Sequence, residues 1–574
     1  MNGAEHRWAA ALLLASGLAA AQWLRAEALP QLAIRVMPRV TVTNAEPLRL
    51  GFQMGFVEGG AGGLRAECFD AKAVDAGMRA LPGMKAETDP DTGHTVYTFE
   101  NRSDQPQGVT LTAATLRKEV AYTVRITCRH VKGSGALRFV FAPVGGKKGE
   151  ETSERVTYRG VSVKEKSFAV KPRWDGDYRC CFLIEPGAEV EFHALSMVPD
   201  DAESGWNREA LTALRAIGAG ALRWPVTAEG PGFYNWYDGV GSNALRGAEE
   251  SGLGKASQYD FGTAEFVAFC RLVGAEPQIR VPVFLPGCAD ARVPDLAAGV
   301  QLAADWVAYC NATDDHPLAE LRRRHNHPLA LGVKRWELAV PAGGAVSEKV
   351  LAETYRAYAA AMKAEDPTIQ VCDSRDLPLL TPLRDRYVGQ VMGRLASGDA
   401  AERVYYGDWY ETLSVANAAL VRLQRGRSGA LGVPFFSEQT LRRVPYARTM
   451  LSEPGVMMAV INRFPALALL AVEGSLVEED APFKVLAAKT EDPKTLIVFI
   501  YNSGVESRTV RVDLTALNRR FMFWLSDQVY ANVSLPRKEE KMPFFHRQKV
   551  GAAMTQVVLC ECPPASFTRL AVKE

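Results

Sequence analysis

Several things are scarce in this 574-residue sequence, and each scarcity excludes something. No sign of charge dominates: Lys+Arg 67 against Asp+Glu 66 leaves a net charge of +1. No global field therefore draws the chain to nucleic acid or an anionic membrane surface. Beyond the N-terminus no segment has ~18 uninterrupted apolar residues, so no later membrane span is expected. Ten cysteines are too few for a disulfide scaffold in a chain of this length. There is no CxxC pair, and His325-Asn326-His327 is too tight for zinc ligands and lies among arginines, so no metal is expected. A Gly-rich phosphate fingerprint is also missing, and no cofactor is implied.

What is present is the material of a folded, multidomain chain: 47% hydrophobic and 23% charged residues. At the start, Arg7 precedes an apolar run from Trp8 to Ala21 broken only by Ser16 and Gly17. Ala19-Ala20-Ala21 and Ala26-Glu27-Ala28 offer small-x-small cleavage sites. This predicts a signal peptide over residues 1–28 and a secreted or periplasmic product with no membrane span after cleavage.

Four textures follow. Residues 29–70 alternate and then turn glycine-rich, and they hold N-terminal strands that include a first barrel strand. Over 71–200, short alternating runs such as Tyr122-Thr123-Val124-Arg125-Ile126 and Leu137-Arg138-Phe139-Val140-Phe141 predict an inserted antiparallel β-sandwich. Its Trp174 reads as a core residue. Over 201–465, helical stretches (208–218, 263–273, 297–310, 348–364) alternate with short apolar runs, the size and rhythm of a (β/α)8 barrel. Residues 466–574 return to alternation, as in Leu496-Ile497-Val498-Phe499-Ile500-Tyr501, and predict a C-terminal β-sandwich. The fold class is thus α/β, a TIM barrel flanked by two sandwiches, with a doubly wound open sheet as the competing arrangement.

In a barrel, chemistry gathers where strands end. Arg223-Trp224-Pro225 closes one apolar run, and the aromatic-dense stretch Tyr234-Asn235-Trp236-Tyr237-Asp238 follows it. Exposed flat rings there would suit sugar faces, although Trp236 and Tyr237 could equally plug the barrel top. Glu438, after Val433-Pro434-Phe435-Phe436-Ser437, is an acid at the mouth of a late strand. It is expected either to do chemistry or to pair with Arg442 or Arg443.

In this order the motifs resemble the α-L-arabinofuranosidases of glycoside hydrolase family 51, in the branch with an inserted carbohydrate-binding-type jelly roll. Gly55-Phe56-Val57-Glu58 and Gly62-Gly63-Leu64-Arg65-Ala66-Glu67 resemble the first-strand motif and the GGLYAE stretch after it. Arg223-Trp224-Pro225 resembles RFPGG, Trp236-Tyr237-Asp238-Gly239-Val240-Gly241 resembles W-x-D-G-I-G, and Tyr309-Cys310-Asn311 matches YCN. The resemblance implies cleavage of arabinofuranose from plant polysaccharides by two Glu residues. It implies Glu438 as nucleophile, and substrate contacts from Glu58, Arg223, Trp224, Tyr234, Trp236 and Asp238.

The departures matter more. The family's acid/base strand reads W-E-I-G-N-E, and here the same register is Trp336-Glu337-Leu338-Ala339-Val340-Pro341. Pro341 stands where the catalytic acid should. Glu337, four residues earlier on a strand, lies ~13 Å down the barrel, whereas retaining glycosidases hold their carboxyls about 5–5.5 Å apart. The glycines after Arg223-Trp224-Pro225 are Val226-Thr227, and no His occurs between His327 and His546. Asp408 is a weak surrogate acid, more readily read as a turn residue after Gly407. The expectation is an exported, catalytically degenerate homologue that binds an arabinose-containing glycan or another ligand. Two alternatives stay open: an active retaining glycosidase with Glu438 and a relocated acid, or an assembly component of an exported complex with protein partners.

Overall fold

A computed structural model of the chain describes residues 31–49, 51–53, 66, 68, 71–88, 95–132, 136–146, 151–157, 162–225, 235–241, 262–285, 293–313, 315–339, 347–373, 400–425, 441–444, 448–474, 481–504, 506–531 and 544–574. Three bodies of structure are present: a barrel and two β-sandwiches.

The described part of the barrel is a five-stranded parallel sheet of β2 (Phe52–Gln53), β12 (Ala221–Trp224), β13 (Glu276–Pro282), β14 (Arg335–Ala339) and β15 (Gln370–Asp373). Each strand pairs in parallel with the next one of the sheet in chain order. That single-direction winding is the barrel rule; a doubly wound sheet would reverse its strand order. The helices between them are α2 (Arg208–Ile217), α3 (Thr263–Val273), α4 (Leu296–Asn311), α5 (Pro317–Arg324) and α6 (Glu348–Glu365). Their ends are written in the sequence. The Asn207 side chain accepts from the N–H groups of Glu209 and Ala210, capping α2. Gly218, at φ 62°, ends that helix in the left-handed conformation glycine adopts without strain. Asp295 and Ser347 cap α4 and α6 in the same way as Asn207.

Alternation along the strands sorts two environments. Leu222, Trp224, Ile279, Val281, Trp336 and Leu338 enter the apolar layer beneath the helices. The residues between them face the barrel interior, and they are polar.

The inserted sandwich holds β3 (Lys85–Thr88), β4 (Thr95–Glu100), β5 (Gln107–Leu116), β6 (Tyr122–Lys132), β7 (Ala136–Pro143), β8 (Thr152–Thr157), β9 (Lys164–Val170), β10 (Gly176–Ile184) and β11 (Glu189–Pro199). They form a four-stranded sheet, β5-β10-β7-β8, and a five-stranded sheet, β3-β4-β11-β6-β9. Its core includes Phe139, Phe141, Tyr178, Phe182 and Val190. Cys180 is buried in that core while Cys181, on the opposite face, touches Thr110. Trp174 overturns its expectation: it stands 48% exposed in the turn before β10, not in the core. The core is filled by the inward residues of β10, and Trp174 precedes that alternating run.

In the C-terminal body, β1 (Gln31–Leu48) joins strands drawn from residues 466–573 in one nine-stranded sheet. It runs antiparallel to β16 (Ala466–Glu473) and parallel to β17 (Arg508–Asp513). The start of the chain is thus pinned to its end. Helices α7 (Ala400–Gln424) and α8 (Glu453–Asn462) seat the barrel on this sheet. The Trp409 indole donates to the Ala565 carbonyl at 2.9 Å, and Lys484 donates to Asn417 at 2.7 Å. Buried Arg569 meets Asp527 and the Val460 carbonyl, with the Phe464 ring 4.9 Å beneath it.

Candidate functional site at the barrel mouth

The inward residues of the barrel strands make a polar core. Two of the Arg223 guanidinium nitrogens, Nε and Nη2, each donate to one carboxylate oxygen of Glu337. The Gln278 amide donates to Glu337 Oε2 at 3.0 Å, and Arg280 Nε lies 3.6 Å from Oε1. Glu337 and Gln278 are fully buried and Arg223 is nearly so. A carboxylate in that position is stabilised only by such partners, because burying it alone would cost several kcal/mol. Burial, and then Arg223 beside it, push the Arg280 guanidinium down to about 10, with Glu337 and Tyr355 opposing the shift. Glu337 is therefore a fully partnered side chain of the barrel interior. Its register partner on β13 is Arg280, one inward step below the Pro282–Ala339 pair near the strand ends.

Outside the sheet, the aromatic stretch forms a single 3-10 turn, Trp236–Gly239, capped by Asn235. The Trp236 ring is completely buried: it stacks on Tyr237 at 3.9 Å, lies parallel to Trp306 at 6.3 Å, and its indole donates to the Leu302 carbonyl at 2.9 Å. A cavity of about 10 Å3 beside it, lined by Val281, Leu302 and Trp306 among others, has room for about one water and no sugar. Trp224 is likewise buried, 5.3 Å from Phe266 and edge-on to Trp306. Trp224 and Trp236, both expected as substrate contacts, are thus buried rings, and for Trp236 this is the arrangement in which it plugs the barrel top. Trp224 falls on the outward side of β12, and α4 covers Trp236. Tyr237, 38% exposed, is the ring of this turn that meets solvent. Its phenol is pushed up to about 12 by burial and by Asp305, whose carboxylate accepts from it at 3.3 Å.

Of the other expected site residues, Glu58, Tyr234, Pro341 and Glu438 lie outside the described residues. Asp238 belongs to the 3-10 turn, but its side chain is outside the description. Asp408 is in the third turn of α7, not at a strand mouth. The Tyr405-Tyr406-Gly407 run reads as a strand and turn in isolation, yet Gly407 is carried within a 25-residue helix. The sequence reading missed Gln278 and Arg280. Their signal was available: in Pro277-Gln278-Ile279-Arg280-Val281 the polar residues alternate with buried apolar ones, which marks a strand with a polar barrel-facing side. Among the described residues no group of His, Cys, Asp and Glu could hold a metal.

Comparison with known proteins gives this geometry a context. A family profile described as the Alpha-L-arabinofuranosidase 1 domain matches residues 213–385. The chain is similar to the family 51 α-L-arabinofuranosidases, at a distance. It is 32% identical over 183 residues to a probable alpha-L-arabinofuranosidase C of Aspergillus fumigatus, covering 30% of this chain and 33% of that one. It is 28% identical over 163 residues to an intracellular exo-alpha-L-arabinofuranosidase of Bacteroides ovatus, covering 27% and 28%. The chain thus matches about a third of the length of these curated relatives. An arabinose-bound family 51 α-L-arabinofuranosidase superposes with a TM-score of 0.69 at 14% identity, over 94% of this chain and 100% of that one. That likeness shows the fold: a TIM barrel with β-sandwiches.

Proposed function

We propose that the chain is an exported arabinofuranosidase-like homologue whose barrel mouth binds an arabinose-containing glycan and has lost general-acid catalysis. The observation that carries this reading is the state of Glu337. It is the carboxylate of the fourth barrel strand, and Arg223 and Gln278 hold it in the barrel interior. The next inward position is Ala339, and Pro341 follows in the sequence. General-acid assistance is worth roughly 10²–10⁴-fold, so natural sugar–sugar linkages would be almost untouched. Export rests on the signal-like segment 1–28; among the described residues no helix is long and apolar enough to cross a membrane.

Glu438 keeps a nucleophile-like position in the motif order, and this sustains a second reading as an active retaining glycosidase. The helical setting of Asp408 removes the geometric ground for making it the acid, since barrel catalysts come from strand ends. The deciding experiment is hydrolysis of aryl α-L-arabinofuranoside and other aryl glycosides by wild type and Glu438→Gln in parallel. Degeneracy predicts equal, background rates from both. Wild-type turnover that disappears in Glu438→Gln would replace the first reading with the second.

A further inference from the structure

Trp174 is exposed, yet the backbone that carries it is held firmly. The Tyr178 hydroxyl accepts from the N–H groups of Arg173 at 3.0 Å and Trp174 at 3.1 Å, and it donates back to the Trp174 carbonyl at 3.1 Å. The Tyr178 ring is itself stacked on Phe141 in the sandwich core at 4.4 Å and 11°. A second loop has the same design: Tyr122 accepts from the N–H of Arg117, also five residues before it. The two loops are joined where the Lys118 N–H donates to Asp175 at 2.8 Å.

This double loop is fastened to the barrel. Arg117 Nη2 donates to both carboxylate oxygens of Asp201, at 2.8 and 2.9 Å, and its Nη1 donates to Glu209, in the first turn of α2, at 3.0 Å. Helix α2 lies between the parallel neighbours β2 and β12 in the chain, so it runs against them. Its first turn therefore lies at the face where the strands end, which is the face that carries barrel chemistry. The loop bearing Trp174 is thus tied to the rim of the barrel mouth.

A large flat ring exposed on a firmly held backbone is a binding device: the cost of ordering the loop is already met within the free protein. Its electron-rich face attracts the polarised C–H groups of a sugar ring. Residues exposed around it carry both signs, Arg173, Asp177 and Arg179, which suits hydroxyl groups better than a charged polymer. We propose that Trp174 is a sugar-stacking platform that extends glycan binding from the barrel mouth onto the inserted sandwich, so that the chain recognises a neutral polysaccharide rather than a single sugar. The extension rests on the reading of the barrel mouth as a glycan site.

The test is retention of the full chain in native gels containing soluble arabinoxylan, linear arabinan or hydroxyethylcellulose. Wild type is expected to be retarded by at least one polymer. Trp174→Ala should lose roughly tenfold in apparent affinity without a change in melting temperature, as an exposed side chain allows. Tyr178→Phe, which keeps the core ring and frees the loop, should lose part of it. Equal retention of wild type and Trp174→Ala, or no retention of wild type by any polymer, overturns the proposal. Arabinose binding, followed by saturation-transfer NMR, should be the same in wild type and Trp174→Ala. Its absence alongside Trp174-dependent retention would sink the barrel-mouth reading and leave the platform standing.

Discussion

Arg223 and Glu337 sit on barrel strands that are not neighbours, β12 and β14, and the guanidinium crosses behind β13 to engage both carboxylate oxygens. The pair ties three strands together, because Gln278 of the intervening strand donates to the same carboxylate. Replacing Glu337 by Gln leaves two guanidiniums facing an amide in a buried space. Removing one partner of a buried pair costs about 3–5 kcal/mol, and urea denaturation of Glu337→Gln should show a loss of that order. The double variant Arg223→Met/Glu337→Leu should lose less, since one guanidinium, that of Arg280, rather than two then faces the site.

Trp236 and Tyr237 are sequence neighbours with opposite expected consequences. Trp236→Ala opens a large cavity against Trp306 and Tyr309 and should cost about 3–5 kcal/mol. Tyr237→Ala removes a partly exposed ring and should cost roughly 1 kcal/mol. Chemical denaturation separates the two. A mild effect at Trp236 would mean that its ring is not the core residue described above.

Asp366 gives the barrel an acid-sensitive point at the C-terminal end of α6. Partial burial pushes its carboxyl up, but hydrogen bonds from Thr368, Lys334 and Asn311 outweigh that and hold it at about 2, below its ordinary 3.8. A depressed carboxyl contributes stability that is fully present above the ordinary value and is lost as pH falls toward about 2. Melting temperature should therefore drop between pH ~4 and ~2, and Asp366→Asn should flatten that part of the profile while lowering stability at neutral pH.

The nine described cysteines are all free thiols. Burial pushes the Cys180, Cys270 and Cys310 thiols far up, so they are poor nucleophiles as well as inaccessible. Cys560 and Cys562 share a buried face of one strand, as their spacing demands. A thiol-reactive dye should label well under ten groups in the native protein and all ten after denaturation. Added reductant should leave the melting temperature unchanged; a large drop would reveal a disulfide.

Periodicity alone made the barrel helices readable almost to the residue. Arg208–Ile217, Thr263–Val273 and Glu348–Glu365 each begin at a capping or turn residue, and the first two end at a glycine, signals that act within a few bonds. The strand Gln31–Leu48 was readable as a strand, but nothing local tells it to pair with residues over 400 positions away. The burial of Trp224 and Trp236 was not readable for the same reason. An aromatic after a strand looks alike in sequence whether a helix covers it or solvent does, and α4 covers these two.

The residues by themselves determined the succession of sandwich, barrel and sandwich, because strand and helix periods, caps and turns are local consequences of backbone geometry. Tertiary structure alone decided which polar residues face inward together, that Arg223 closes on Glu337, and that Trp174 stands exposed while Trp236 lies in the core. Those outcomes depend on which surfaces meet, and burial is settled between segments that are remote in the chain.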